Sequence, residues 1–308
     1  MKKLTIVIIA VVVVVIGAGI YFFLPRPATN TNVTQNPPVT NTPGNTVQTP
    51  ENTQPQPTQQ NPAETVIGKS VEGRDITAYN YGTGDTQILF IGGIHGGYEW
   101  NTSLVAYQAM DYLKANANAI PANEKITVIP VLNPDGLNKV VGTAGRFAAA
   151  DVPASQTLQI SGRYNADNVD LNRNFDCDWQ KNAVWQNTAV SGGSKAFSEP
   201  ESAAIRDYIT AHKPAAVVVW YSAVGGVFAS NCHGGVLPET NTITNIYSKA
   251  SGYKAYESYD FYALTGDMVN WFAKNNIPGI SVLLTTHTDT EWSKNQAGID
   301  ALIAHYAK

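Results

Sequence analysis

His95 and Glu99 stand in the run Gly92-Gly93-Ile94-His95-Gly96-Gly97-Tyr98-Glu99. A neutral imidazole and a carboxylate are good zinc ligands. Glycines on both sides let the backbone turn sharply and a substrate approach. A second run, Gly162-Arg163-Tyr164-Asn165-Ala166-Asp167-Asn168-Val169-Asp170-Leu171-Asn172-Arg173-Asn174-Phe175, sets two arginines and several amides in a short, weakly apolar stretch. A guanidinium offers paired donors at carboxylate geometry, so this run suits recognition of a carboxylate. The same composition also suits a loop laced by Asx turns, with its arginines on the surface.

Such groups must be held by regular elements. Residues 87–92, 126–131, 215–221 and 279–285 are short apolar runs bounded by turn residues and are expected as buried strands. Residues 101–113 and 241–251 place apolar side chains at helical spacing. Ser198-Glu199-Pro200-Glu201 has the form of a capping box and should start a helix running to about His212. Residues 267–274 and 291–306 are further helices. The alternation predicts an α/β domain: a mixed, mostly parallel sheet with helices on both faces. Sites in such folds gather at the carboxyl ends of strands.

Only part of the chain has this character. Of the 308 residues, the tip 1–3 carries Lys2 and Lys3, and Leu4 to Leu24 is an uncharged run of 21. That is long enough to cross a bilayer, and the lysines should stay cytoplasmic, sending the rest outward. The expectation is a single-pass membrane anchor at 4–24; the alternative is a signal peptide cleaved near Ala28, with the protein secreted. In residues 25–64, Pro, Thr, Asn and Gln supply 31 of 40 positions, which predicts a disordered stalk. The domain is then 65–308, with 17 Lys+Arg, 22 Asp+Glu and a charge of -5. Nothing there asks for nucleic acid, whose partners usually show a basic stripe. Cys177 and Cys232 can form one disulfide outside the cytoplasm or stay as two buried thiols.

The run from Gly162 to Phe175 resembles a signature of the zinc metallocarboxypeptidase (funnelin, carboxypeptidase A-like) family. Four other runs resemble family motifs in the family's order. They are Ile67-Gly68-Lys69-Ser70-Val71-Glu72-Gly73-Arg74, the Gly-Gly-Ile-His loop, Asn133-Pro134-Asp135-Gly136 and Phe197-Ser198-Glu199-Pro200-Glu201. The resemblance implies one zinc ion held by His95 and Glu99, although the family usually has two residues between this pair and here there are three. It implies that Arg163 polarises the scissile carbonyl and holds the oxyanion. It gives Asn172 and Arg173 the terminal carboxylate of a peptide, makes Tyr262 the tyrosine that closes over substrate, and puts Asp267 near the specificity pocket. Asp267 reads more readily as a carboxylate at a helix N-terminus.

Two positions depart from the family. The third zinc ligand should be a histidine where Trp220-Tyr221-Ser222 has Tyr221. A phenol is a far poorer zinc ligand at neutral pH, though a metal can lower its pKa. The catalytic glutamate should stand where Ile280-Ser281-Val282-Leu283 has Leu283, which cannot take a proton from water. General acid–base groups contribute roughly 10²–10⁴-fold, so this copy is expected to have weak or no peptidase activity. His233 is considered as a replacement ligand or an exposed loop residue, and the stretch from His287 to Trp292 as structural. The competing readings are a module that binds peptide or cell-wall stem-peptide carboxylates without cleaving them, a deacylase or amidase on the same scaffold, and a surface spacer with an inert head.

Overall fold

The computed structural model describes residues 63–307. The expected tip, anchor and nearly all of the stalk lie outside the described residues. Among the described residues, no helix is long and apolar enough to cross a membrane.

Ten strands and seven α-helices follow in the order β1 (Ala63–Lys69), β2 (Asp75–Tyr81), β3 (Thr86–Ile91), α1 (Trp100–Ala115), β4 (Glu124–Ile129), α2 (Pro134–Val141), α3 (Gln156–Ser161), β5 (Asn182–Trp185), β6 (Thr188–Ser191), α4 (Pro200–His212), β7 (Ala216–Ser222), β8 (Gly226–Ala229), α5 (Pro238–Ser251), β9 (Ala255–Tyr256), α6 (Met268–Lys274), β10 (Gly279–Leu284) and α7 (Trp292–Tyr306). Eight strands form one sheet in the order β1-β2-β4-β3-β7-β10-β8-β9. Its centre, β4-β3-β7-β10, is parallel. β1, β2 and β8 join antiparallel, and β9 joins β8 in parallel. β5 and β6 make a separate hairpin.

The central strands read as continuous apolar runs because helices cover both faces. Successive side chains point to opposite faces. Phe90, Val218, Trp220 and Val282 pack against α1, α5 and α7 through Val105, Ala109, Tyr247 and Leu302. Leu89, Val219, Tyr221 and Leu283 pack on the opposite face against α4 and α6 through Ile205, Ile209 and Phe272. Tyr221 and Leu283 therefore belong to one apolar layer.

The four expected strands are present, with ends moved by one or two residues, and β1 begins two residues before the expected domain start. The edge strands and the β5–β6 hairpin carry no comparable apolar signal and were not expected. The capping box does not form. Glu199 is the N-cap of α4 and makes no side-chain cap bond. Ser198 is drawn instead to its neighbours: its Oγ donates to Glu199 Oε1 (2.7 Å) and accepts from Asn174 Nδ2 (3.0 Å). Asp267 is the N-cap of α6, accepting from the Asn270 N–H at 2.8 Å.

Candidate active site

A pocket opens at the carboxyl ends of β3, β7 and β10, lined by residues that include His95, Glu99, Arg163, Asn172, Arg173, Tyr221, Tyr262, Asp267, Leu283 and His287. His95 follows β3, and the extra residue before Glu99 is absorbed by a tight turn. The Tyr98 and Glu99 N–H groups both point to the His95 carbonyl, and Glu99 becomes the N-cap of α1. Gly96 makes the turn possible: its φ is 42°, and a Cβ there would stand 2.7 Å from the Gly162 carbonyl oxygen. Glu99 Oε1 thereby lies 3.0 Å from His95 Nδ1, and Asp170 Oδ1 lies 3.5 Å from His95 Nε2. His95 and Glu99 are each 3% exposed, and Asp170 is fully buried. A histidine with one nitrogen toward a carboxylate and the other toward a ligand position is the usual posture of a metal-binding imidazole. Asp170 was not singled out from sequence; its place two residues before Asn172 was the available signal.

Asp170 also organises the arginines. Arg163 Nε and Nη2 both donate to Asp170 Oδ2 at 2.9 Å. Its guanidinium lies 4.3 Å from the Trp185 ring centroid. Burial would raise the Asp170 carboxyl, but Arg163, His95 and Arg173 more than offset it and hold the group well below the usual carboxylate range. Arg163 is thus in the pocket, as the resemblance implied, with two of its donors committed to Asp170.

Asn172 and Arg173 divide differently from the expectation. Asn172 is enclosed by internal bonds: Nδ2 donates to Asp267 Oδ2 (2.8 Å), and Oδ1 accepts from the Met268 N–H (3.0 Å) and the Tyr221 hydroxyl (3.3 Å). It ties β7 to the start of α6. Arg173 donates from Nε to the Val184 carbonyl (3.0 Å) and from Nη1 to the Asn172 carbonyl (2.7 Å). Its Nη2 is buried with no partner among the described residues. Tyr262 is half-buried, its ring centroid 5.9 Å from the Arg173 guanidinium carbon. Gly266, at φ 65°, lets this segment press on Arg173, because a Cβ there would fall 2.2 Å from the Arg173 carbonyl oxygen. The backbone of the same segment bonds to Cys177 and Phe175. Cys177 is disulfide-bonded to Cys232.

The two departures meet. β7 and β10 run parallel with Leu283 opposite Tyr221 in register. Each is 6% exposed. Burial, followed by Asp267 and Glu99, holds the Tyr221 phenol well above its ordinary pKa. It is a neutral hydrogen-bond donor to Asn172. Zinc can be tested against this set: His95 and Glu99 fit as two ligands, and the third position does not supply one. Among the described residues, no group of three or more His, Cys, Asp or Glu is arranged to hold a metal ion. His233 is no substitute; it is exposed and paired with Asp178 at 2.7 Å beside the disulfide.

His287, expected to be structural, lines the pocket. Its tautomer follows from its neighbours. Asn101 Nδ2 donates to the Thr286 and Asp289 carbonyls, so its Oδ1 is the atom that receives the Ser222 hydroxyl at 3.1 Å. Ser222 Oγ then accepts from His287 Nδ1 at 2.9 Å. The Nε2 lone pair is left toward the pocket, with the Tyr98 hydroxyl at 3.2 Å. Burial pushes this imidazole below its ordinary pKa, and Glu99 partly opposes the shift. No sequence signal beyond a histidine after β10 marked it.

The zinc carboxypeptidase family profile matches residues 58–292, and the chain belongs to that family. It is 26% identical over 254 residues to the gamma-D-glutamyl-L-diamino acid endopeptidase 1 of Lysinibacillus sphaericus, covering 73% of this chain and 61% of that enzyme's length. The fold is similar to bovine thrombin-activatable fibrinolysis inhibitor, with TM-score 0.64 and 15% identity over 80% of this chain and 90% of the other. It is also similar to murein-tripeptide amidase MpaA from Escherichia coli O157, with TM-score 0.56 and 19% identity over 80% of this chain and 93% of the other.

Proposed function

We propose that this chain is a membrane-anchored, extracytoplasmic member of the zinc carboxypeptidase family that binds the carboxylate end of a peptide or cell-wall stem peptide and cleaves it weakly or not at all. The observation that carries this reading is the in-register pair Tyr221–Leu283. It puts a neutral phenol and an alkyl group where the family's third ligand and base belong. Meanwhile Arg173 keeps an unpartnered donor in the pocket. The family's metal polarises the scissile carbonyl and activates water when bound; here only His95 and Glu99 stand ready to hold it, and Leu283 cannot move a proton. The likeness to a γ-D-glutamyl-diamino acid endopeptidase and a murein-tripeptide amidase supports stem peptides as the ligand class. The uncharged run at 4–24 supports the anchor.

The test is peptide turnover with added zinc, run on the natural chain beside a Tyr221→His, Leu283→Glu double variant. The expected result is negligible turnover by the natural chain. Robust zinc-dependent hydrolysis by it would sink the reading.

A further inference from the structure

The pocket leaves several buried polar atoms without partners among the described residues: both ring nitrogens of His95, Glu99 Oε2 and Arg173 Nη2. Asp170 Oδ1 lies 3.5 Å from His95 Nε2; with the ring proton on that side, Nδ1 and the Glu99 carboxylate present lone pairs to the same space. Two acceptors 3.0 Å apart call for a cation between or beside them. The Nε2 lone pair of His287, on the same pocket, is already met by the Tyr98 hydroxyl at 3.2 Å. The opposite wall is Tyr221 and Leu283, which offers no ligand to complete a metal site. The charges agree: Glu99, Asp170 and Asp267 stand against Arg163 and Arg173, so a ligand that brings only a carboxylate adds to an excess of negative charge.

We propose that the cation this pocket takes is an ammonium group carried by the ligand itself, so that the ligand is a short peptide or amino acid with both its amino and carboxyl groups free. The proposal rests on the carboxylate-binding reading above and adds the second end of the ligand. An ammonium has three donors, and Glu99 Oε2 and His95 Nδ1 are two unpartnered acceptors that can take two of them. The carboxylate goes to Arg173 Nη2, under Tyr262. The apolar Tyr221–Leu283 wall keeps water from the charged ends, where an unshielded ion pair is worth more than at a surface.

The experiment is calorimetric titration of the purified full-length protein, with a chelator present, by alanyl-alanine in four forms: both ends free, N-acetylated, C-amidated, and capped at both ends. The free-ended peptide should bind at least about 10-fold more tightly than the N-acetylated one, the size expected for a charge-assisted hydrogen-bond set. Glu99→Gln should bring the free peptide down to the level at which the natural chain binds the acetylated one. Added zinc ions should weaken binding of the free form by competing for Glu99. Equal binding of the free and acetylated peptides, with loss on amidation, overturns the ammonium site and leaves the carboxylate reading standing. Failure of every peptide with a free carboxylate to bind overturns both.

Discussion

On the proposed reading, carboxylate binding turns on the Arg173 side chain. Two of its three nitrogens are tied to backbone carbonyls, which fixes the guanidinium, and the third is buried without a partner. Arg173→Ala should therefore weaken a carboxylate ligand by on the order of 10–100-fold in a direct binding assay. Arg173→Lys should fail to restore it, because an ammonium cannot keep both backbone bonds and still present a donor at the same point. Asn172 gives a contrast. Its side chain holds Asp267, the Met268 N–H and Tyr221 together, so Asn172→Ala should lower thermal stability as well as affinity. The sequence showed the adjacent pair Asn172-Arg173. It could not show which of the two faces the ligand, because that depends on an aspartate 95 positions further along at the start of α6.

Elements decide how firmly these side chains are presented. The long helices α5 and α7 pack so closely that a Cβ at Gly298 would lie 2.4 Å from Tyr247 Cζ. Tyr247 cannot retreat easily, since its hydroxyl is bonded to Asn295 Oδ1 at 2.8 Å. Gly298→Ala should thus cost about 1–3 kcal/mol in chemical denaturation, although alanine is otherwise the better helix former. The Cys177–Cys232 bridge spans a separation of 55 residues and ties the segment carrying Tyr262 and Asp267 into the sheet end. Its reduction should lower stability by roughly 2–4 kcal/mol. Much of this level was legible beforehand. β3, β4, β7 and β10 are buried on both faces, so apolar run length alone marks them. β1, β2, β8 and β9 are held by pairing at the sheet's edges, and β9 has two residues, so they leave little trace in composition. Ser198 shows the other limit: a short motif named the right helix and the wrong cap, because Asn174 competes for the hydroxyl from outside the window.

At the scale of the whole molecule, stability carries a pH signature from groups far apart. Glu124 opens β4 and is 0% exposed, with neither carboxylate oxygen partnered among the described residues. Burial raises its pKa from 4.5 to about 7. The folded state therefore holds a proton that the unfolded state releases, and stability falls as pH rises from about 4.5 through about 7. The loss is on the order of 3 kcal/mol. Glu124→Gln should flatten that limb of the stability curve and raise the melting temperature most at alkaline pH. Asp170 acts with the opposite sign: its folded pKa is depressed, so its contribution is present above 3.8 and is lost in acid. The facing of Tyr221 and Leu283 across β7 and β10 also makes the two positions interdependent. Histidine at the first position, alone, puts a lone imidazole against an alkyl chain; glutamate at the second, alone, buries a carboxylate beside a phenol. Either change alone is unfavourable, whereas the two together, with zinc, complement one another. A double-mutant cycle of Tyr221→His and Leu283→Glu should therefore read a coupling that favours the two changes made at once.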